Sequence, residues 1–255
     1  MRRYLWPSFW LPFVVLVVIL GFLWEVGVHK WPYLLPPLGD VWTSLHTNVH
    51  YLLTNAWGTL REALLGLLIG LVVAVALAVV VSEVPLARRA IMPVAVILNV
   101  TPLVAIAPAL VVAFGFGIAP KLVITALICF FPILINTSVG LRSVPVQVLQ
   151  VYRTVHASRL EVLWHLRAPS SLPYVFAALQ IVFPLSVIGA VVSEMSAPGF
   201  TLGLGNVIQQ AAQHNNLALT WAAIALLALM GAVLLFVVTV VQRRVLRWHE
   251  STASV

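Results

Sequence analysis

Long uncharged apolar stretches constrain this chain more than any other feature. They run from Leu64 to Arg88, broken only by Glu83, from Ile91 to Pro120, from Leu122 to Leu141, from Ala168 to Ser193 and from Met195 to Gln242. A helix needs about 20 apolar residues, at about 1.5 Å rise each, to cross a hydrocarbon core of roughly 30 Å. With 62% hydrophobic and 8% charged residues and a mean hydropathy of +1.07, the chain lacks the polar surface of a water-soluble domain. It reads as an integral membrane protein.

The runs are continuously apolar rather than alternating, unlike the strands of a membrane barrel, and an open sheet would leave backbone donors unpaired in lipid. The expected fold class is therefore all-α. Its six expected spans are Phe9 to Val28, Trp57 to Val81, Met92 to Phe114, Lys121 to Thr137, Leu172 to Met195 and Leu219 to Val241. Residues 1–255 make a single transmembrane domain in this reading, with a large loop over residues 139–171. Arg2 and Arg3 ahead of the first run suit a signal peptide. The run is too long for one, however, and no small-residue cleavage site follows, so it is read as a retained span with Trp24 and Trp31 at headgroup depth.

Charge sets the expected orientation. An N-terminus inside puts Arg2, Arg3, Arg88, Arg89, Arg142, Arg153, Arg159, Arg167, Arg243, Arg244 and Arg247 in the cytoplasm and leaves only Lys30, Arg61 and Lys121 of the 14 Lys and Arg residues outside. Both termini are then cytoplasmic. The net charge of +7 follows from this bias, so nucleic acid is not needed as a partner. Cys129, alone of its type, allows neither a disulfide framework nor a thiolate metal site. There is no Gly-rich phosphate loop ending in Lys and Ser or Thr and no His-Glu-x-x-His spacing. A catalytic site, a cofactor or metal in this chain, and ATP hydrolysis by it are not expected.

The large loop carries VYRTVHASRLEVLWHLRAPSSLP, in which Ser158 and Glu161 have capping-box spacing for a helix start. On that helix Leu160, Leu163 and Trp164 share one face by the i, i+3, i+4 rule, and Pro169 with Pro173 is expected to end it after two turns. Such a peg either rests in lipid headgroups or docks on another protein. In the third span Pro93, Pro102 and Pro108 each remove a backbone donor, so this helix is expected to be kinked or open.

Asn99 and Thr101 near that break, Asn136, Thr137 and Ser138 on span four, and Ser186 on span five either line a path for a polar solute or hold helices together. Pro198, Gly199, Gly203 and Gly205 break the chain on the outer side, before a polar run from Asn206 to Asn216 that is either a re-entrant segment or a solvated loop. Glu194 reads as an isolated acid near the outer end of span five, with Glu62 at an outer boundary. Glu194 serves either as a hydrogen-bonding group for the broken segment or as a proton carrier.

Several segments carry a resemblance. The stretch TPLVAIAPALVVAFGFGIAPKLVITALICFFPILINTSVGLRSVP, the later VVSEMSAPGFTLGLGNVIQQA and the earlier TLREALLGLLIG cover, with the loop, most of Thr59 to Ala212. Together they resemble the membrane permeases of ABC importers of the nitrate, sulfonate and taurine family. The loop departs from the family pattern at Gln150, Val151 and Tyr152, where the family has Glu-Ala-Ala, and at His156, where it has Gly. A Cβ at position 156 disfavours the left-handed turn that glycine would allow.

The resemblance implies a type I importer permease fold in a bacterial inner membrane, paired as a homodimer bearing two ATPase subunits that hold ATP and Mg, with an extracytoplasmic substrate-binding protein. It also implies that Ala157, Ser158, Arg159, Leu160, Glu161, Leu163 and Trp164 form the helix that seats in the ATPase. The substrate is a small anion such as nitrate, bicarbonate or a sulfonate, or a vitamin precursor. An ion-gradient-driven secondary transporter or channel is the other class left open.

Overall fold

A computed structural model describes residues 7–196 and 202–247 and contains only helices among them. In chain order these are α1 (Pro7–Lys30), α2 (Leu38–Thr47), α3 (Val49–Glu83), α4 (Pro85–Val100), α5 (Leu103–Phe114), α6 (Ile118–Gly140), α7 (Val146–Thr154), α8 (Arg159–Val162), α9 (Ala168–Ser196), α10 (Leu204–Gln213) and α11 (Leu217–Val245). A π-helical turn, Leu163–Arg167, joins α8 to α9.

The centre of the molecule is α6, which packs against both α3 and α9. Without a hydrophobic drive inside lipid, helices associate through close backbone approach, and small residues permit it. A Cβ on Gly70 of α3 would lie 2.7 Å from the Ala126 carbonyl oxygen of α6, and one on Gly66 would lie 2.5 Å from Thr125 Cβ. Around this contact Leu67, Ala74, Ala78, Cys129, Ile133, Leu134, Ala178 and Val182 form a buried cluster.

Among the described residues, four helices are long and apolar enough to cross a membrane: Val49–Glu83, Ile118–Gly140, Arg159–Ser196 and Leu217–Val245. The expected third span is two helices, α4 and α5, bent by 101° at a short break, and counts as a fifth if the pair is one span. The cause is local. Pro102 has no N–H to continue the ladder, and it forces Thr101 before it into extended backbone, φ −71° and ψ 130°. The expected first span is α1, a helix of 24 residues. After α5, Gly115 and Gly117 take positive φ, 77° and 135°, to turn the chain into α6.

Three local expectations are corrected. First, Pro169 and Pro173 do not end the coupling-loop helix, because the chain stays helical from Arg159 to Ser196. The π turn advances the ladder by one residue, with Ala168 N–H reaching the Leu163 carbonyl. Pro169 then falls in the first turn of α9, where a missing donor does the least harm.

Second, His156 does take the left-handed turn, with φ 53°. Two bonds close the end of α7 around it: His156 N–H to the Arg153 carbonyl at 3.1 Å and Ala157 N–H to the Tyr152 carbonyl at 3.0 Å. This is the Schellman pattern, and it outweighs the steric penalty of one Cβ. Third, the polar run after Gly205 is neither a solvated loop nor irregular. It is α10, which buries Leu204, Gly205, Val207 and Ala211 and packs against α11, α9 and α3. Pro198 and Gly199 lie outside the described residues.

Candidate functional site

Residues singled out from the sequence fall into three places. The first is the loop between α6 and α9, which is built from local caps. Ser158 Oγ accepts from Glu161 N–H at 3.3 Å, and Glu161 Oε2 accepts from Ser158 N–H at 2.7 Å, completing the capping box. With the left-handed turn at His156, this folds α7 and α8 into two short helices on a tight corner, carrying Ala157 and Arg159 between and beside them.

The single apolar face expected here is split. Leu160 and Trp164 are 66% and 69% exposed, whereas Leu163 is 9% exposed and belongs to the central cluster with Leu67, Leu134 and Ala178. Leu160 and Trp164, four positions apart, keep one exposed face, while Leu163 turns inward at the start of the π turn. Val151 and Val155 on the α7 side are exposed as well. The loop thus offers an apolar surface fixed from beneath by Leu163. An ion pair between Arg167 and Glu83 ties its base to the end of α3.

The second place is a buried polar cluster at the opposite end of α9. Glu194 is fully buried and is not isolated. Its Oε1 accepts from Thr59 Oγ at 2.7 Å, and its Oε2 accepts from Gly205 N–H at 2.6 Å. Thr59 Oγ in turn accepts from Leu204 N–H at 2.8 Å, and Asn55 Oδ1 accepts from Gly203 N–H at 2.9 Å. Beside them Lys121 Nζ donates to Glu62 Oε1 at 3.3 Å, with both residues buried, and the Glu62 and Glu194 carboxyls neighbour each other. Lys121 and Glu62, read from the sequence as separate groups on the outer side, are a buried ion pair. The missed signal was a Lys and a Glu standing inside otherwise apolar helices, an arrangement that burial permits only with a partner.

The third place is the set of uncharged polar residues. Thr101 Oγ donates to the Ile97 carbonyl at 2.7 Å, Asn136 Nδ2 to the Pro132 carbonyl at 2.8 Å, Ser138 Oγ to the Ile135 carbonyl at 3.0 Å and Ser186 Oγ to the Phe183 carbonyl at 2.7 Å. Each bonds to a carbonyl of its own helix. Asn99 is exposed on α4, and the buried Thr137 hydroxyl has no hydrogen-bond partner among the described residues. Among the described residues no three His, Cys, Asp or Glu side chains come together to hold a metal ion.

Known proteins resemble this arrangement across most of its length. A family model described as binding-protein-dependent transport system inner membrane component matches residues 66–248. The riboflavin transport system permease protein RibX of Chloroflexus aurantiacus is 33% identical, covering 98% of this chain and 94% of its own. The formylaminopyrimidine transport permease protein ThiX of Halalkalibacterium halodurans is 30% identical over 93% and 94%. The taurine transport system permease protein TauC of Escherichia coli is 27% identical over 92% and 88%. In fold, a chain of the MetNI methionine ABC transporter in an inward-facing conformation superposes with a TM-score of 0.69, covering 78% of this chain and 98% of its own, at 18% identity.

Proposed function

The chain belongs to the family of binding-protein-dependent transport system inner membrane components, and from that premise we propose that it takes its energy from a separate ATPase seated on the α7–α8 corner and moves a small heterocyclic vitamin precursor. It is the multi-pass membrane permease of an ABC importer. The observation that carries the docking reading is the exposed pair Leu160 and Trp164, held on a capped corner outside the packed helices. An apolar surface built on rigid local caps and anchored by a buried Leu163 suits a partner groove better than a mobile loop does.

In this reading Ala157, Ser158, Arg159, Leu160, Glu161 and Trp164 form the contact, and Leu163 holds it in place. The arginine bias puts this corner and both termini in the cytoplasm. Two copies pair so that the bent α4–α5 segment with Asn99 and Thr101, and α6 with Asn136, Thr137 and Ser138, face a shared path that a substrate-binding protein supplies from outside. ATP and Mg belong to the ATPase. Nucleotide shifts the permease only because the corner makes different contacts in its two states.

The vitamin-precursor reading rests on the relatives of 33% and 30% identity, named for riboflavin and formylaminopyrimidine transport. The test is uptake of radiolabelled riboflavin and of formylaminopyrimidine into vesicles holding this chain with the ATPase and binding protein encoded beside it. The expected result is ATP-dependent, vanadate-sensitive uptake of one of them. Uptake that needs a proton gradient and no ATP overturns the ATPase reading, and ATP-driven uptake of taurine or nitrate alone overturns the substrate class.

A further inference from the structure

Resting on the permease reading above, we infer that Asn55, Thr59 and Glu194 are positioning residues that clamp the start of α10 to α3 and α9, so that α10 moves with the helix that carries the docking corner. The first N–H groups of any helix lack partners within it. At α10 they are taken from outside: Gly203 N–H by Asn55, Leu204 N–H by Thr59 and Gly205 N–H by Glu194, at 2.9, 2.8 and 2.6 Å. Two of the three acceptors come from α3 and the third from α9, between 11 and 148 residues away in sequence. A carboxylate at a helix start is also favoured by the helix dipole.

The glycines make this approach possible. A Cβ on Gly203 would stand 2.3 Å from Glu194 Cδ, and one on Gly205 would stand 2.7 Å from Glu194 Oε2 and 2.8 Å from the Val191 carbonyl oxygen. Thr59 is the joint of the clamp. It accepts from Leu204 N–H, which leaves its own proton to donate to Glu194 Oε1, so one hydroxyl links α3, α9 and α10.

The opposite end of the same helix carries α8 without interruption, and there Arg167 pairs with Glu83 of α3. The helices α3 and α9 are therefore tied to each other at both ends. The segment α10 is tied to them at the end far from the docking corner.

The clamp is tested with spin labels at Gln210 on α10 and Leu53 on α3, both solvent- or lipid-accessible, in the full chain held in lipid nanodiscs. The wild-type chain and Thr59→Ser, which keeps the hydroxyl, are expected to give one narrow distance distribution. Thr59→Val, which keeps the shape, is expected to populate a released α10 about tenfold more than wild type. Gly205→Ala, which acts on Glu194 from the other side, should do the same and serves if the valine variant fails to fold.

A narrow distribution in both Thr59→Val and Gly205→Ala overturns the clamp. So does equal broadening in Thr59→Ser and Thr59→Val, because the hydroxyl would then not be the joint. In the complex with its ATPase, Thr59→Val should keep ATP hydrolysis while losing the nucleotide-driven shift at Gln210 that Thr59→Ser retains; a shift of wild-type size overturns the proposal. The nanodisc distances need no ATPase, so a failure of the docking reading leaves the first arm intact.

Discussion

The two ends of α9 solve opposite problems with the same helix. At one end, Glu194, Thr59, Asn55, Glu62 and Lys121 are charged or polar, buried, and bonded to residues as far apart as 148 positions, with one Glu62 oxygen left over. At the other, the corner from Val151 to Trp164 exposes the apolar Val151, Val155, Leu160 and Trp164, and its own bonds, at Ser158, Glu161 and His156, reach only a few residues along the chain. The first end draws its bonds from across the molecule. The second leaves Leu160 and Trp164 uncovered, the surface on which the proposed ATPase sits. Position along a membrane helix therefore says little about role; what separates the ends is whether the bonds are long-range and buried or local beside exposed apolar side chains.

The largest expected effect attacks the buried end. Lys121→Met leaves the Glu62 carboxylate buried without its cation, an imbalance that typically costs about 3–5 kcal/mol. Thermal unfolding in detergent should show a large loss of stability, and the pair Glu62→Leu with Lys121→Met should recover most of it. A single variant that melts with wild type would break the contrast between the ends.

Next, Leu163→Ala should cost ~2–5 kcal/mol as a core truncation, while the neighbouring Leu160→Ala should change stability by less than about 0.5 kcal/mol. Equal effects in the same melting assay would mean that the corner has no inner anchor. Leu160→Asp combined with Trp164→Ala reverses the pattern. Stability should hold, while affinity for the ATPase falls by about 2 kcal/mol or more, as for a loss of central interface residues; titration of purified ATPase onto the chain in nanodiscs reads it.

The smallest effect is Ser158→Ala, which removes one side of the capping box at a cost of about 1 kcal/mol. Faster amide exchange over α8, with that of α10 unchanged, is the expected outcome. A change at α10 alone would place the effect at the wrong end.

What the sequence revealed follows the same division. The apolar runs and the Ser158–Glu161 box were legible because each is a local pattern, and Pro102 announced the break of the third span for the same reason. The clamp was not legible. Thr59 and Glu194 are separated by 135 positions, Glu62 and Lys121 by 59, and nothing local tells an acid which helix it will meet.

Two local rules also misled. The proline rule assumed an unbroken i to i−4 ladder, which the π turn shifts at Pro169. The glycine rule at position 156 neglected the two hydrogen bonds that hold His156 in its turn. The Gly203-Leu204-Gly205 sequence was a signal of close approach, though not of what approaches.

The π turn between α8 and α9 also sets how this helix takes the loss of a residue. The helix from Arg159 to Ser196 has 38 residues, about 57 Å at the α-helical rise, so it reaches well past a bilayer core. A π turn holds one residue more than the α turn it replaces, so deleting one residue within Leu163–Arg167 would restore an ordinary α turn and leave Leu160 and Trp164 near their present heading. The bilayer-embedded remainder would keep its register. A one-residue loss here is thus absorbed where it falls, whereas the same loss in a regular stretch of α9 would turn the corner by about 100° around the axis.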